Sequence, residues 1–143
     1  MSLLVRDVMS QHVVTIDRGA SVKDAARLME KYDVGCLIVL DGGKAVGIIT
    51  ERDMLSRVLL QPIDPETTSI NEVMSAPLIY TDPEKDLQDA MELMNERRIK
   101  RLPVIVEGNS VGILSITDIV RSVGFLEHTA NSLCGRCRWK NSA

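Results

Sequence analysis

Two carboxylates, each set three residues after a hydroxyl, are the first groups in this chain that could do chemistry. Asp53 closes the run Gly47-Ile48-Ile49-Thr50-Glu51-Arg52-Asp53, which reads as an apolar strand turning into a helix. Thr50 suits an N-cap, and a carboxylate at the third helical position can reach back to the cap. Asp118 closes a matching run 65 residues later, Gly112-Ile113-Leu114-Ser115-Ile116-Thr117-Asp118. A strand that opens a helix with free N–H groups is a ready anion site. An acidic residue beside it can take the two hydroxyls of a ribose. The plainer reading makes each Asp a capping group only, as Asp24 is after Ser21. Capping and ligand binding are compatible, and the spacing alone leaves both open.

Arg97-Arg98-Ile99-Lys100-Arg101 puts four cations into five residues of a protein whose formal net charge is −3. Cations at the end of a helix meet the C-terminal dipole favourably, which accounts for Arg97. Lys100 and Arg101 instead lead into the strand Leu102-Pro103-Val104, where cations near a helix N-terminus suit a di- or triphosphate. The positions 65 residues earlier are Gly35 and Cys36. The two halves are therefore electrically unequal, and unequal sites are expected. Cys36, followed by Leu37-Ile38-Val39-Leu40, reads as a small buried residue rather than a reactive thiol. The tail holds Cys134-Gly135-Arg136-Cys137, half of a zinc-ribbon site. Zinc would need His128 with a further ligand, or two chains giving two Cys each. The plainer reading is a loosely ordered tail, and a redox pair comes after both, because no thioredoxin-like context surrounds it.

The elements that must position these groups come in two copies. Residues 5–58 lie over 70–123 without a gap. Val8-Met9-Ser10 matches Val73-Met74-Ser75, and Val46-Gly47-Ile48 matches Val111-Gly112-Ile113. A repeat that occurs only twice is not a solenoid; it fits two halves packed about a pseudo-twofold axis. Each half opens with a short amphipathic turn, Leu4 to Met9 and Ile70 to Met74, the latter capped by Ser69 and Glu72. A short strand follows (Val13–Ile16; Leu78–Thr81). Then comes a helix with Val22, Ala25, Ala26 and Met29, or Leu87, Ala90, Met91 and Met94, at helical spacing. Two strands close each half, joined by Asp41-Gly42-Gly43-Lys44 or Glu107-Gly108-Asn109-Ser110. Last helices run Glu51 to Leu60 and Thr117 to Val123. Predicted boundaries are repeat 1 over 1–60, a linker over 61–68, repeat 2 over 69–124 and a tail over 125–143.

Composition excludes several classes. The chain has 143 residues, 45% of them hydrophobic, with one Trp, one Phe and two Tyr. The core must be aliphatic, and aromatic stacking platforms for single-stranded nucleic acid are lacking. The acidic balance offers no general field for DNA or an acidic membrane. No apolar run approaches the ~20 residues of a membrane span. Charges interrupt the N-terminal stretch at once, against a signal peptide. Three Cys, one inside an apolar strand pattern, point to a reducing cytoplasm.

The doubled β-α-β-β-α order is an α/β (α+β) pattern that resembles a tandem pair of cystathionine-β-synthase (CBS) domains, a Bateman module. Asp7-Val8-Met9-Ser10, Glu72-Val73-Met74-Ser75, Arg101-Leu102-Pro103-Val104 and the two Gly-to-Asp runs carry the resemblance, over roughly residues 4 to 124. It implies two clefts between halves packed strand face to strand face, with AMP, ADP or ATP as the usual ligands and S-adenosylmethionine in some members. It implies one site from Thr50, Asp53, Ile79, Lys100, Arg101 and Pro103, and another from Ser115, Thr117, Asp118, Val14, Val34 and Cys36. Ser115 and Thr117 match both hydroxyl positions of the family motif, whereas the first half has Thr50 followed by Arg52. It further implies a non-catalytic regulatory module, a homodimer through the helices and an effector on another chain. An S-adenosylmethionine sensor and an adaptor or zinc-linked dimer acting through the tail (metal at Cys134 and Cys137) are the alternatives. An enzyme is not expected, for no P-loop or nucleophile–His pair is present.

Overall fold

The computed structural model describes residues 3–122. In the first half, α1 (Val5–Val8) leads to β1 (Thr15–Asp17), α2 (Val22–Tyr32), β2 (Cys36–Asp41), β3 (Lys44–Thr50) and α3 (Glu51–Asp53). In the second, α4 (Ile70–Val73) leads to α5 (Leu87–Arg97), β4 (Arg101–Val106), β5 (Asn109–Ser115) and α6 (Ile116–Ser122). The mixed α+β order is the expected one. Ser21 caps α2 by accepting the Asp24 N–H, and both long helices end on a left-handed residue, Asp33 and Arg98. The β2–β3 turn places Gly42 and Gly43 at φ of 57° and 84°, the left-handed geometry that a two-residue hairpin needs.

β2 pairs with β1 in parallel and with β3 antiparallel, while β4 and β5 form a two-stranded antiparallel sheet. Alternation splits the side chains of each sheet between two layers. Leu37, Val39 and Ile49 face Val22, Ala25 and Met29 of α2. Leu102, Val104 and Leu114 face Leu87, Ala90 and Met94 of α5. Cys36, Ile38 and Ile113 make a third cluster, drawn from both sheets. Ala26 and Met91, which the helical spacing also assigns to these stripes, lie exposed on the helix flanks.

The expected strand Leu78–Thr81 shrinks to a single parallel bridge, Thr81 to Val104. Pro103 is the cause. In the first half the Ile38 N–H donates to the Val14 carbonyl at 3.0 Å. Pro103 stands at the equivalent place and has no N–H to give to Ile79. The helix expected over Glu51–Leu60 also changes character. One α-turn (Glu51–Asp53) passes into a π-helical segment, Met54–Leu59. The Ser56 hydroxyl donates to the Arg52 carbonyl at 2.8 Å, and such back-bonding loosens a helical turn.

The opening helices are exchanged in space. Val5 and Val8 lie in the core of the second half, and Ile70 and Val73 in that of the first. The backbone follows: Val5 N–H donates to Lys85 O at 2.9 Å and Ile70 N–H to Ala20 O at 2.8 Å. Farther on, Ser10 bonds reciprocally with Ile113, and Ser75 with Ile48. Gly47 and Gly112 permit this approach. A Cβ on Gly47 would stand 2.9 Å from the Ser75 carbonyl oxygen, and one on Gly112 would stand 3.0 Å from that of Ser10. Burying two aliphatic side chains per opening helix stabilises the paired halves by roughly 3–6 kcal/mol each.

Candidate functional site: a cavity between the halves

The exchange brings the start of α3 against the start of β4, and a cavity of about 430 Å³ lies between them, within the range of small-ligand sites. From the first half it is lined by Ile48, Thr50, Glu51, Arg52 and Asp53. From the second come Ser75, Pro77, Ile79 and Pro103 and the cations Arg98, Lys100 and Arg101. All six residues expected for the first site, Thr50, Asp53, Ile79, Lys100, Arg101 and Pro103, thus line one space.

Asp53 is 7% exposed and well partnered. Its Oδ2 accepts the Thr50 N–H at 2.9 Å and the Thr50 hydroxyl at 3.1 Å. The Thr50 Oγ1 in return accepts the Asp53 N–H at 3.3 Å, a complete capping box. Ser75 Oγ lies 3.3 Å from Oδ1 as a donor, and Arg57 Nε lies 3.7 Å from the same oxygen. A buried carboxylate needs such donors to stay charged. The capping reading is thus met, and the same carboxylate borders the cavity.

Ser75 is a member of this site that sequence reasoning passes over. Its signal is the repeated Val-Met-Ser, which puts Ser75 and Ser10 in matching positions. Only Ser75 reaches the Asp; the Ser10 hydroxyl oxygen accepts the His12 N–H instead, at 3.2 Å. Arg98, at the left-handed end of α5, is another lining cation outside the expected set.

The second expected set is arranged differently, and none of its residues lines this cavity. Ser115 and Asp118 cap α6 reciprocally, at 3.3 Å and 3.0 Å. Asp118 is half-buried and Thr117 exposed. Val14 and Val34 pack against the core of the first half. Cys36 is buried in the cluster between the sheets. Burial pushes its thiol from 9.0 up to about 11, with the Arg101 charge acting against the rise and Glu51 with it. It is an inert thiol at neutral pH, as expected.

Gly35 explains how Arg101 fits. The guanidinium lies over its bare Cα, where an added Cβ would stand 2.1 Å from Nη2 and 2.8 Å from Glu51 Oε1. The backbone of Arg101 meanwhile pairs with Ser115 across the β4–β5 ladder. Arg101 therefore reaches from the second half onto the first.

Among the described residues, no group of three or more His, Cys, Asp or Glu is arranged to hold a metal. None of their helices is long and apolar enough to cross a membrane. Cys134 and Cys137 lie outside the described residues.

The CBS domain model matches residues 5–60 and 70–124. The CBS domain-containing protein YhcV of Bacillus subtilis is 36% identical over 115 residues, 80% of this chain and 81% of that protein. Hypoxic response protein 1 of Mycobacterium tuberculosis is 31% identical over 117 residues, 81% of this chain and 82% of that one. A solved structure of hexameric CBS-CP12 protein from bloom-forming cyanobacteria superposes with a TM-score of 0.79 at 35% identity, covering 89% of this chain and 75% of the other. Hypoxic Response Protein I, solved with two coordinated zinc ions, gives 0.75 at 30% identity over 83% and 98%. With two matched domains, an exchanged-helix pair of halves and these relatives, the chain belongs to the CBS-domain family, as a tandem pair.

Proposed function

We propose that this protein is a non-catalytic regulatory module that binds an adenine nucleotide in the cavity between its halves and signals to a partner chain. The observation that carries this reading is the pairing, across one space, of Asp53 with Lys100 and Arg101. A carboxylate suits ribose hydroxyls, and the cations suit phosphate. Ile48, Ile79 and Pro103 supply an aliphatic slot for a base. Because Pro103 offers no N–H, β4 leaves the Ile79 carbonyl free of the ladder bond that Val14 makes in the first half, and a carbonyl is what an exocyclic amine needs.

Four cations (Arg52, Arg98, Lys100, Arg101) face two carboxylates (Glu51, Asp53) around the cavity. That surplus favours an anion over the sulfonium cation of S-adenosylmethionine. The second set of residues would form a weaker site, since the strand start there carries Gly35 and Cys36 instead of cations. Exposed Leu55, Leu59, Ile116 and Val120 on the helices support self-association as a homodimer, and the cysteine usage supports a cytoplasmic location. Zinc at Cys134 and Cys137 is a separate reading, favoured by the Cys-x-x-Cys spacing and by the zinc in the solved relative. Metal analysis of reduced protein purified without chelators tests it, and absence of zinc rejects it. For the nucleotide, Arg101→Ala should weaken ATP more than AMP, because Arg101 would meet the outer phosphates. Equal losses would contradict that role.

A further inference from the structure

Glu51 is placed oddly for a phosphate site. It is the first residue of α3, exposed, and its carboxylate borders the same cavity as Lys100 and Arg101. Its Oε1 and the Arg101 guanidinium converge over the bare Cα of Gly35, both within 3 Å of the place where a Cβ would stand. Carboxylate and guanidinium therefore both lie beside Gly35 at the mouth of β2, without an ion pair between them. Both charges also act on the buried Cys36 beneath, in opposite senses. The position of Glu51 is fixed through its backbone, whose N–H donates to Gly35 O at 3.1 Å. An anionic side chain here contributes little to burial, and it opposes the anion that the rest of the lining attracts.

We propose that Glu51 is a specificity-determining residue whose charge, beside the Arg101 guanidinium, offsets the attraction of Arg101 for the outer phosphates of a nucleotide, so that the cavity discriminates against longer phosphate chains. This rests on the nucleotide reading above. The first phosphate has Lys100 available. A second or third must rely on Arg101, whose charge Glu51 offsets. Glu51 thus sets how many phosphates the site accepts.

The test is a set of AMP and ATP affinities for the full chain, wild type against Glu51→Gln, Arg101→Ala and the double variant. Gln keeps the size, the exposure and the backbone bond to Gly35, so an unchanged melting temperature checks the fold. Glu51→Gln should raise ATP affinity relative to AMP by roughly three- to tenfold, the scale of one partly screened charge. In the Arg101→Ala background the same change should alter the ratio by less than twofold, because the guanidinium it acts through is gone. Glu51→Asp, which keeps the charge, should preserve most of the discrimination. Equal shifts for AMP and ATP, or an undiminished effect without Arg101, would overturn the proposal alone. Failure of the wild type to bind either nucleotide would overturn the nucleotide reading and this proposal with it.

Discussion

Replacing Asp53 separates its two roles, because the structure says what each should cost. The carboxylate closes a capping box with Thr50 and accepts from Ser75. Asp53→Ala leaves the Thr50 N–H without its acceptor. The cavity lies alongside, so water can reach that N–H, and the loss should match a helix cap, about 1–2 kcal/mol. For a chain of this size that lowers the melting temperature by on the order of 5 °C. If the carboxylate also takes ribose hydroxyls, AMP loses a hydrogen bond to a charged group, about 1.5–3 kcal/mol, or roughly ten- to 150-fold in affinity. Asp53→Asn keeps an oxygen to accept the Thr50 N–H and loses the charge and the second acceptor, the one that faces Ser75. It should stay close to wild type in melting temperature while still binding AMP more weakly. Thermal denaturation and competition against a fluorescent adenine nucleotide, run on both variants, read the two quantities separately. Asp118→Ala is the control, with little change at this cavity. An Asp53→Ala protein that melts early but binds AMP within threefold of wild type would reduce the carboxylate to a cap and refute the ribose assignment.

Three further outcomes follow from the packing. Ile70 is fully buried in the core of the first half, so Ile70→Ala should cost about 2–5 kcal/mol and speed hydrogen exchange in β2 as well as near α4. Exchange changed only in the second half would contradict the exchanged helices. Gly47→Ala should destabilise by about 1–3 kcal/mol and weaken nucleotide binding, since it pushes on the Ser75 backbone that carries the Asp53 partner; a neutral variant would refute the close approach. Cys36 ionises near 9.0 when unfolded and near 11 when folded. Stability is therefore full below pH 9 and falls as pH rises toward 11, by up to roughly 2–3 kcal/mol. Urea midpoints across that window should drop for wild type more than for Cys36→Ala, and parallel curves would count against the buried thiol.

The doubled order of elements and the two capping boxes were legible because they are local. A hydroxyl three residues before a carboxylate needs no tertiary partner to be read. The reason for Gly47 and Gly112 was not legible, for the carbonyls that crowd them belong to Ser75 and Ser10 of the opposite half. The same distance hid Ser75 as a partner of Asp53. Pro103 was in plain view, and its effect on the strand Leu78–Thr81 depended on knowing which residue faces it. Ala26 and Met91 fit a helical stripe by spacing, yet they sit one step beyond the width of the buried face. The cations at Lys100 and Arg101 were readable from charge alone. That Arg101 crosses to Gly35 was not, since a glycine announces room without naming what fills it.

Calorimetric titration of the wild-type chain with AMP, ADP, ATP and S-adenosylmethionine bears most directly on the nucleotide reading. Saturable heat with the adenine nucleotides, and weaker or no heat with the sulfonium, is the predicted result. No heat and no thermal shift with any of the four would leave the paired CBS fold standing and contradict nucleotide binding in the cavity between its halves.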